Sequence, residues 1–339
     1  MEFCWVLPVT RNIESDELYD LTISQSILAE QNNFDSLLVA TIPEALDPWI
    51  LSTNIVNVTQ SIRILIAQNT NHVLPTYTAK ALNTLNMLSN GRIDVNLVTG
   101  SSSLTLSRDN KVENHKTRYK RTEEFSEILN IIHKGPLTYK GDFYNIENCD
   151  LYPNNKENRQ GRIFIAGSSE ECQSIAARYG DTHLMYANSF DETKKQIIKV
   201  RDLAKNMHRD IKCGIYINVI ARETSDEAWN TAYKILEDAT PIEKKLVKMY
   251  QNTADSVGVM KHREFKSYDQ YKVDENLWGG LAEVSSTVAM SIVGSYEEVA
   301  KTLKKYNNIG VDYFLLVGYC NDNEIERIGK NVLSHLKDY

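Results

Sequence analysis

Apolar and polar positions along the chain follow two alternating rhythms. Short runs rich in β-branched and aromatic residues recur, and between them apolar residues return every three or four positions. The first rhythm predicts strands at 2–9, 34–40, 61–67, 93–98, 162–166, 182–186, 212–221 and 313–317. The second predicts helices at 16–31, 49–56, 75–90, 115–133, 170–179, 191–207, 225–236, 296–306 and 323–336. Ser15 is placed to cap the first helix, and Leu82, Leu85 and Leu88 to form the apolar face of the third. Eight strands alternating with helices predict an α/β chain, a (β/α)8 barrel forming one domain over 1–339. Insertions are expected near 101–113, 135–162 and 240–292, the second as a hairpin marked by Gly135-Pro136 and Lys140-Gly141.

The stretch Leu85 to Gly100 concentrates these signals. Asn90-Gly91 stops a helix, because glycine takes the left-handed conformation a helix end needs. Ile93 to Val98 is then apolar and largely β-branched, with Asn96 in its middle. A buried amide must be hydrogen-bonded or it costs about 1–3 kcal/mol. Two readings stand: Asn96 is tied to a neighbouring backbone, or Asn96, Thr99 and Gly100 line the ligand-binding carboxyl end of a parallel strand.

Composition narrows the function. Charged residues make up 24% and hydrophobic ones 42%, ordinary for a globular chain. A net charge of −7 argues against a nucleic-acid surface. No apolar run reaches the roughly 18 residues a membrane span needs, and the N-terminus lacks the pattern of a signal peptide. Five scattered cysteines, with no CxxC pair or His/Cys cluster, indicate neither disulfides nor a metal site and fit a reducing cytoplasm.

Few stretches carry chemistry of their own. Phe164 to Glu171 reads as a strand, a Gly167-Ser168-Ser169 turn and a helix start. Such a turn either binds a phosphate with its N–H groups and hydroxyls, or is a plain serine cap with acidic Glu170 and Glu171 behind it. It is not a dinucleotide fingerprint. His115 and Tyr119 share one helix face, as ligand groups or as a solvated histidine and a packing residue. His72 follows strand three, Asn218 lies in strand seven, and Tyr319 follows strand eight. No hydrolase triad is present, which suits a cofactor that supplies the reactivity.

Strings across nearly the whole chain carry a resemblance: VTQSIRILIA at 58–67, LPTYTAKALNTLNMLSNGR at 74–92, NLVTG at 96–100, His115-x-x-Arg118-Tyr119, FIAGSS at 164–169, VIARETSDEAW at 219–229, TADSVG at 253–258 and NLWGG at 276–280. With these the chain resembles the luciferase-like flavin-dependent monooxygenases, specifically their alkanesulfonate monooxygenase branch. That resemblance implies a TIM barrel and a two-component system, in which a separate NAD(P)H-dependent reductase supplies reduced FMN (FMNH2) and O2 oxygenates the substrate. By the same resemblance Asn96 and Thr99 would contact the flavin ring region, and Tyr119, Gly167, Ser168 and Ser169 its phosphate end, beside His115. Tyr319 matches a tyrosine near the family's active site, and with Tyr216 and Asn218 makes the catalytic set.

The departures bear on the substrate. Where the sulfonate enzymes carry a cysteine, this chain has Ala45; where they carry an arginine and a histidine in strand seven, it has Tyr216 and Asn218. Their N-terminal histidine falls near Thr10, and their arginine-bearing loop aligns with Glu283 to Ser291, which has no arginine. Arginine is the natural bidentate partner of a sulfonate. The expectation is therefore a cytoplasmic, homo-oligomeric monooxygenase using reduced FMN on a small or carrier-protein-tethered acyl or amino-acid group, in an antibiotic-type biosynthetic pathway. The alternatives are an alkanesulfonate monooxygenase releasing sulfite and an aldehyde, and a catalytically silent flavin-binding protein. Residues 281–289 are expected to form a lid, with Gly279-Gly280 beside it.

Overall fold

Strand polarity sets the architecture, because every other residue of each barrel strand must face a closed lumen. A computed structural model describes residues 1–9, 14–42, 45–100, 113–154, 161–319 and 323–337. In chain order these form β1 (Glu2–Val6), α1 (Ser15–Gln31), β2 (Ser36–Val39), α2 (Pro48–Val58), β3 (Arg63–Asn69), α3 (Pro75–Ser89), β4 (Ile93–Val98) and α4 (His115–Ile131). An antiparallel hairpin follows, β5 (Leu137–Lys140) with β6 (Asn145–Cys149), as the second insertion requires. Then come β7 (Ile163–Ala166), α5 (Glu170–Tyr179), β8 (Thr182–Tyr186), α6 (Phe190–Lys205), β9 (Lys212–Arg222) and α7 (Ser225–Asp238). The third insertion contains α8 (Pro241–Thr253), α9 (Val257–Lys261), β10 (Lys272–Asp274) and β11 (Leu277–Trp278). The chain then returns through β12 (Ser291–Ser295), α10 (Tyr296–Asn308), β13 (Tyr313–Val317) and α11 (Glu324–Ile328).

Eight of these strands pair in parallel around a closed ring, β1-β2-β3-β4-β7-β8-β9-β13 and back to β1. This is the (β/α)8 TIM barrel of the sequence expectation. The lumen holds Cys4, Val6, Leu38, Leu65, Ala67, Phe164, Leu184, Tyr313 and Leu315, one or two from each of six strands. Residues of opposite parity, such as Ile64, Ile66, Val95, Leu97 and Ile165, face the helices in the larger outer core.

Charge closes the amino-terminal end. Asp94, fully buried, accepts hydrogen bonds from Arg63 Nε and from the backbone N–H and Nε of Arg162. Arg162 also reaches Glu2, which takes Lys212 as well, so the starts of β1, β3, β4, β7 and β9 are held together. Arg92, of the SNGR string, donates to Val56, Thr59, Ile62 and Ser89 carbonyls and fastens the α2–β3 turn to the α3–β4 turn.

Several details differ from the sequence expectation. The first helix starts at Ser15, and Glu14 precedes it without a side-chain cap. The buried face of α1 is Leu18, Thr22, Ser26 and Ala29, and both hydroxyls return to carbonyls four residues back at 2.7 Å. Leu88 is 60% exposed; the core-facing positions of α3 include Leu82, Leu85, Asn86 and Ser89. Asn86 earns its buried place by exchanging hydrogen bonds with both Ile93 N–H and C=O. Asn90 itself takes the left-handed conformation, at φ 59°. A ninth parallel strand, β12, arises at the end of the third insertion and pairs with β9 from Asn218 onward. The segment expected as a lid is packed: Leu281, Ala282, Val288 and Ala289 are buried. A Cβ on Gly280 would fall 2.0 Å from the Trp278 ring, so that glycine serves close packing. The expected loop at 101–113 falls, except for Glu113, outside the described residues, as do Thr10 and Cys320.

Replacing Asp94 by alanine removes the carboxylate of Arg63 and leaves Arg162 with Glu2 alone. Breaking a buried pair costs about 3–5 kcal/mol. The arginine side chains here are 30% and 26% exposed, so the low end applies. Asp94→Ala is expected to lower the unfolding free energy by about 3 kcal/mol, read from the denaturant midpoint by circular dichroism.

Candidate active site

The carboxyl ends of β4 and β7 build one wall of the barrel mouth. β7 runs into Gly167, whose φ of +149° is one a side chain rarely adopts. A Cβ there would lie 2.8 Å from the Tyr119 hydroxyl and 2.9 Å from Cys172 Sγ. Ser169 is a true cap of α5, its Oγ accepting the Cys172 N–H at 3.2 Å. The buried Tyr119 hydroxyl hydrogen-bonds with Ser169 and Thr99, and burial raises its pKa well above the usual phenol range, so it stays protonated. The His115 ring lies 4.6 Å from that of Tyr119. Thr99, His115, Tyr119, Gly167, Ser168 and Ser169 are thus gathered in one place.

A cleft of about 350 Å³ opens there, lined by His115, Ser168, Ser169, Glu170, Glu171, Asp255 and Val257. Two of its carboxylates are engaged. Glu170 points outward and pairs with Lys199 at 2.6 Å. Asp255 is gripped through both oxygens, at 2.8 Å each, by Nη2 of the buried Arg118. The first-turn N–H groups of α5 have no partners within the helix and carry its positive dipole end.

Deeper in, Asn96 faces the lumen between Ala67 and Phe164, its register partners. It is 5% exposed and its Oδ1 has no hydrogen-bond partner among the described residues. The reading of an amide fully tied to neighbouring backbone therefore fails at this oxygen. The rim above is polar: Asn71 Nδ2 donates to Thr99 O at 2.8 Å, and the Trp49 indole N–H to Gln68 Oε1 at 2.8 Å.

The adjoining wall, from β8 and β9, is aromatic and uncharged. Tyr216 stacks on Tyr186 at 5.9 Å, and the Tyr186 ring meets His262 edge-on at 4.7 Å. Burial pushes the Tyr216 phenol up to about 12 and holds His262 down at about 4, so both are neutral near pH 7. Asn218 is fully buried; its Nδ2 donates to Ser291 on β12 at 2.9 Å, and its Oδ1 has no partner among the described residues. A Cβ on Gly258 would touch the Tyr186 ring at 2.6 Å and Ser168 Oγ at 3.4 Å, so this wall meets the serine turn.

Tyr319 follows the end of β13 by two residues and is 43% exposed. His72 is exposed beyond β3. Arg118, Asp255, His183 and His262 enter the picture only through the structure. Arg118 and Asp255 lay within quoted strings, but nothing in the sequence paired them. Among the described residues no group of His, Cys, Asp and Glu could hold a metal ion, and no helix is long and apolar enough to cross a membrane.

Gly167→Ala must strain the backbone or displace Tyr119. The expected cost is about 1–3 kcal/mol of stability, measured by thermal unfolding. Ser168→Ala, in the same turn, removes only a half-exposed hydroxyl and serves as the control.

Comparison with known proteins places this geometry. Residues 1–313 match the model of the family described as luciferase-like monooxygenase. The fold is similar to that of EDTA monooxygenase (EmoA) from Chelativorans sp. BNC1, at 16% identity and a TM-score of 0.82, over 100% of this chain and 93% of that one. It is similar to the oxygenating constituent of 3,6-diketocamphane monooxygenase from the CAM plasmid of Pseudomonas putida, solved with FMN, at 16% identity and 0.73, over 98% and 97%. An F420-dependent secondary alcohol dehydrogenase shares the fold too, at 15% identity and 0.71, over 98% of each chain. These likenesses are of fold, and they span several substrates and two cofactors. With the barrel closed and the family model matched over all but its last residues, the chain belongs to the luciferase-like monooxygenase family.

Proposed function

We propose that the chain is a monooxygenase that uses reduced FMN and O2 on a substrate without a sulfonate, a small or carrier-protein-tethered acyl or amino-acid group. The observation that carries this is the joining of two unlike regions at one barrel mouth. One is a serine turn at a helix N-terminus, which lines a cleft; the other is the carboxyl end of the barrel strands, where the buried carboxamide oxygens of Asn96 and Asn218 have no hydrogen-bond partner among the described residues.

The residues present suit a phosphate-terminated flavin. Ser168, Ser169 and the start of α5 would hold the phosphate, with Tyr119 and His115 beside it. Asn96 Oδ1 offers an acceptor to an N–H or O–H in the lumen, and Thr99 bounds the same space. Reduced FMN, when bound, would supply the two electrons with which one oxygen atom enters the substrate and the other leaves as water. Tyr216 and Asn218 would then hold and orient the substrate through neutral hydrogen bonds. The packed segment 281–290 would keep water out.

The chain has no nicotinamide fingerprint, which supports a separate NAD(P)H-dependent flavin reductase as partner. Exposed apolar side chains on α2 and α3, among them Ile50, Tyr77 and Leu88, support a homo-oligomer. The resemblance to the alkanesulfonate branch includes the strings that carry Asn96, Thr99, Tyr119 and the serine turn. It fails at the positions of the sulfonate enzymes' cysteine, arginine and histidine, here Ala45, Tyr216 and Asn218, and in residues 283–291, which carry no cation.

Two outcomes are expected. FMN should quench protein fluorescence at lower concentration than riboflavin, and Ser168→Ala should weaken FMN by about 0.5–3 kcal/mol. Equal affinities, or preference for F420, would overturn the cofactor assignment. In the second, reduced FMN and O2 are offered with short alkanesulfonates and, separately, with acyl-carrier-bound substrates. A missing cation costs an anion about 3–5 kcal/mol, roughly 10² to 10³-fold in affinity, so sulfite release should be negligible. Mass spectrometry should instead find a product heavier by one oxygen. Efficient sulfite release would restore desulfonation. FMN binding with no oxygenated product would leave a flavin-binding protein.

A further inference from the structure

We infer that His183 is a positioning residue for the phosphate end of the cofactor site, acting through the Gly167–Ser168 peptide. The inference rests on the FMN reading above. His183 sits in β8 between Ile165 of β7 and Cys213 of β9, on the face turned away from the lumen. Its neighbours on that face belong to the apolar outer core, and it is fully buried there. A histidine in such a place is costly unless it makes a bond that a hydrocarbon cannot. It makes one: Nε2 lies 2.7 Å from the Gly167 carbonyl oxygen.

That carbonyl only accepts, so Nε2 carries the ring's proton and Nδ1 is bare. Nδ1 has no partner among the described residues, and burial depresses the pKa to about 4, so the ring is neutral and in a single tautomer. The bond falls where the β7–β8 ladder gives out. The last paired residues are Ala166 and Leu184, and the Gly167 N–H still reaches Leu184 O at 2.9 Å. The Gly167 carbonyl lies past that ladder, and His183 supplies the donor that the strand lacks. A trans peptide sets C=O and N–H in opposite directions. Turning the Gly167 carbonyl toward His183 therefore turns the Ser168 N–H the other way, and Ser168 lines the cleft. Gly167, at φ +149° with no room for a side chain, leaves the peptide free to flip unless something holds it. His183 holds it, and so fixes an N–H donor for an anion.

The test compares His183→Phe, His183→Gln and His183→Asn with the wild type. Glutamine places its amide N–H near the position of Nε2; asparagine places it near Nδ1. Circular dichroism checks each fold, and fluorescence quenching gives the affinities for FMN and for riboflavin. His183→Phe and His183→Asn should bind FMN about tenfold more weakly, with riboflavin unchanged, and His183→Gln should restore the preference. Full FMN preference in folded His183→Phe would overturn the inference and leave the phosphate site standing. Equal loss in all three variants would overturn it too. A wild type without FMN preference would overturn both the inference and the site. Nitrogen-15 NMR of the cofactor-free protein reads the tautomer directly: Nε2–H is expected, and Nδ1–H would overturn the role of His183 whatever the cofactor.

Discussion

A buried carboxylate between two arginines fixes the phase of the barrel. Asp94 lies in the lumen near the start of β4, where Arg63 and Arg162 reach it from the strands on either side. A strand slipped by one residue would carry every lumen side chain to the outer face. It would also bury Asp94 against apolar helices without its partners, which the energetics of buried charge forbid. With Asp94 pinned inward, Asn96 must point inward two residues later, and Thr99 must emerge at the rim. The same residue that closes the floor thus aims the amide at the mouth. Arg92 then fixes where β4 begins, and Asn86 holds its first peptide, so the SNGR string is a framing device for the strand that carries Asn96.

Charge is sorted along the barrel axis. Arg63, Asp94, Arg162, Glu2 and Lys212 meet at the floor, while the lumen side of the mouth carries amides, hydroxyls, phenols and the neutral His262. This matters for the proposed chemistry. A negatively charged cofactor end, in the proposed reading, would be met by helix N–H groups and serines, whose charge is fixed and partial. The proposed substrate region offers no full positive charge among the described residues nearby: Arg118 is committed to Asp255. A neutral substrate loses little on entering such a chamber, and an unpaired anion loses much.

The barrel was legible because its signals repeat. Eight β-branched runs alternate with helices, and Asn90-Gly91 and the glycine of the serine turn mark where the chain must bend. Individual helix faces were harder to read. In α1 the core-facing residues Thr22 and Ser26 look polar, yet each hydroxyl is satisfied by its own helix and packs like an apolar group. In α3 the leucine spacing points to Leu88, but Asn86 wins the buried position because Ile93 offers it two bonds. Of the site, the turn at Gly167 and the polar end of β4 could be read directly. The pairing of Arg118 with Asp255 spans 137 residues, and His183 is a lone histidine in an apolar strand. Neither leaves a local pattern, because what makes each of them matter is a partner supplied by the fold.

The third insertion changes its meaning once placed. In sequence it resembled a cover that opens and closes. In the fold it is part of the wall. Asp255 and Val257 line the serine cleft, Gly258 abuts Tyr186, and His262 stands against the same ring. Gln251 donates to Ala282, so α8 is tied to the buried 280–283 turn, and Trp278 fills the space that a side chain on Gly280 would need. A loop that swings must break few contacts when it opens. This one would have to expose Leu281, Val288, Ala289 and Met290 together. The same packing that buries this segment holds the cleft residues in place.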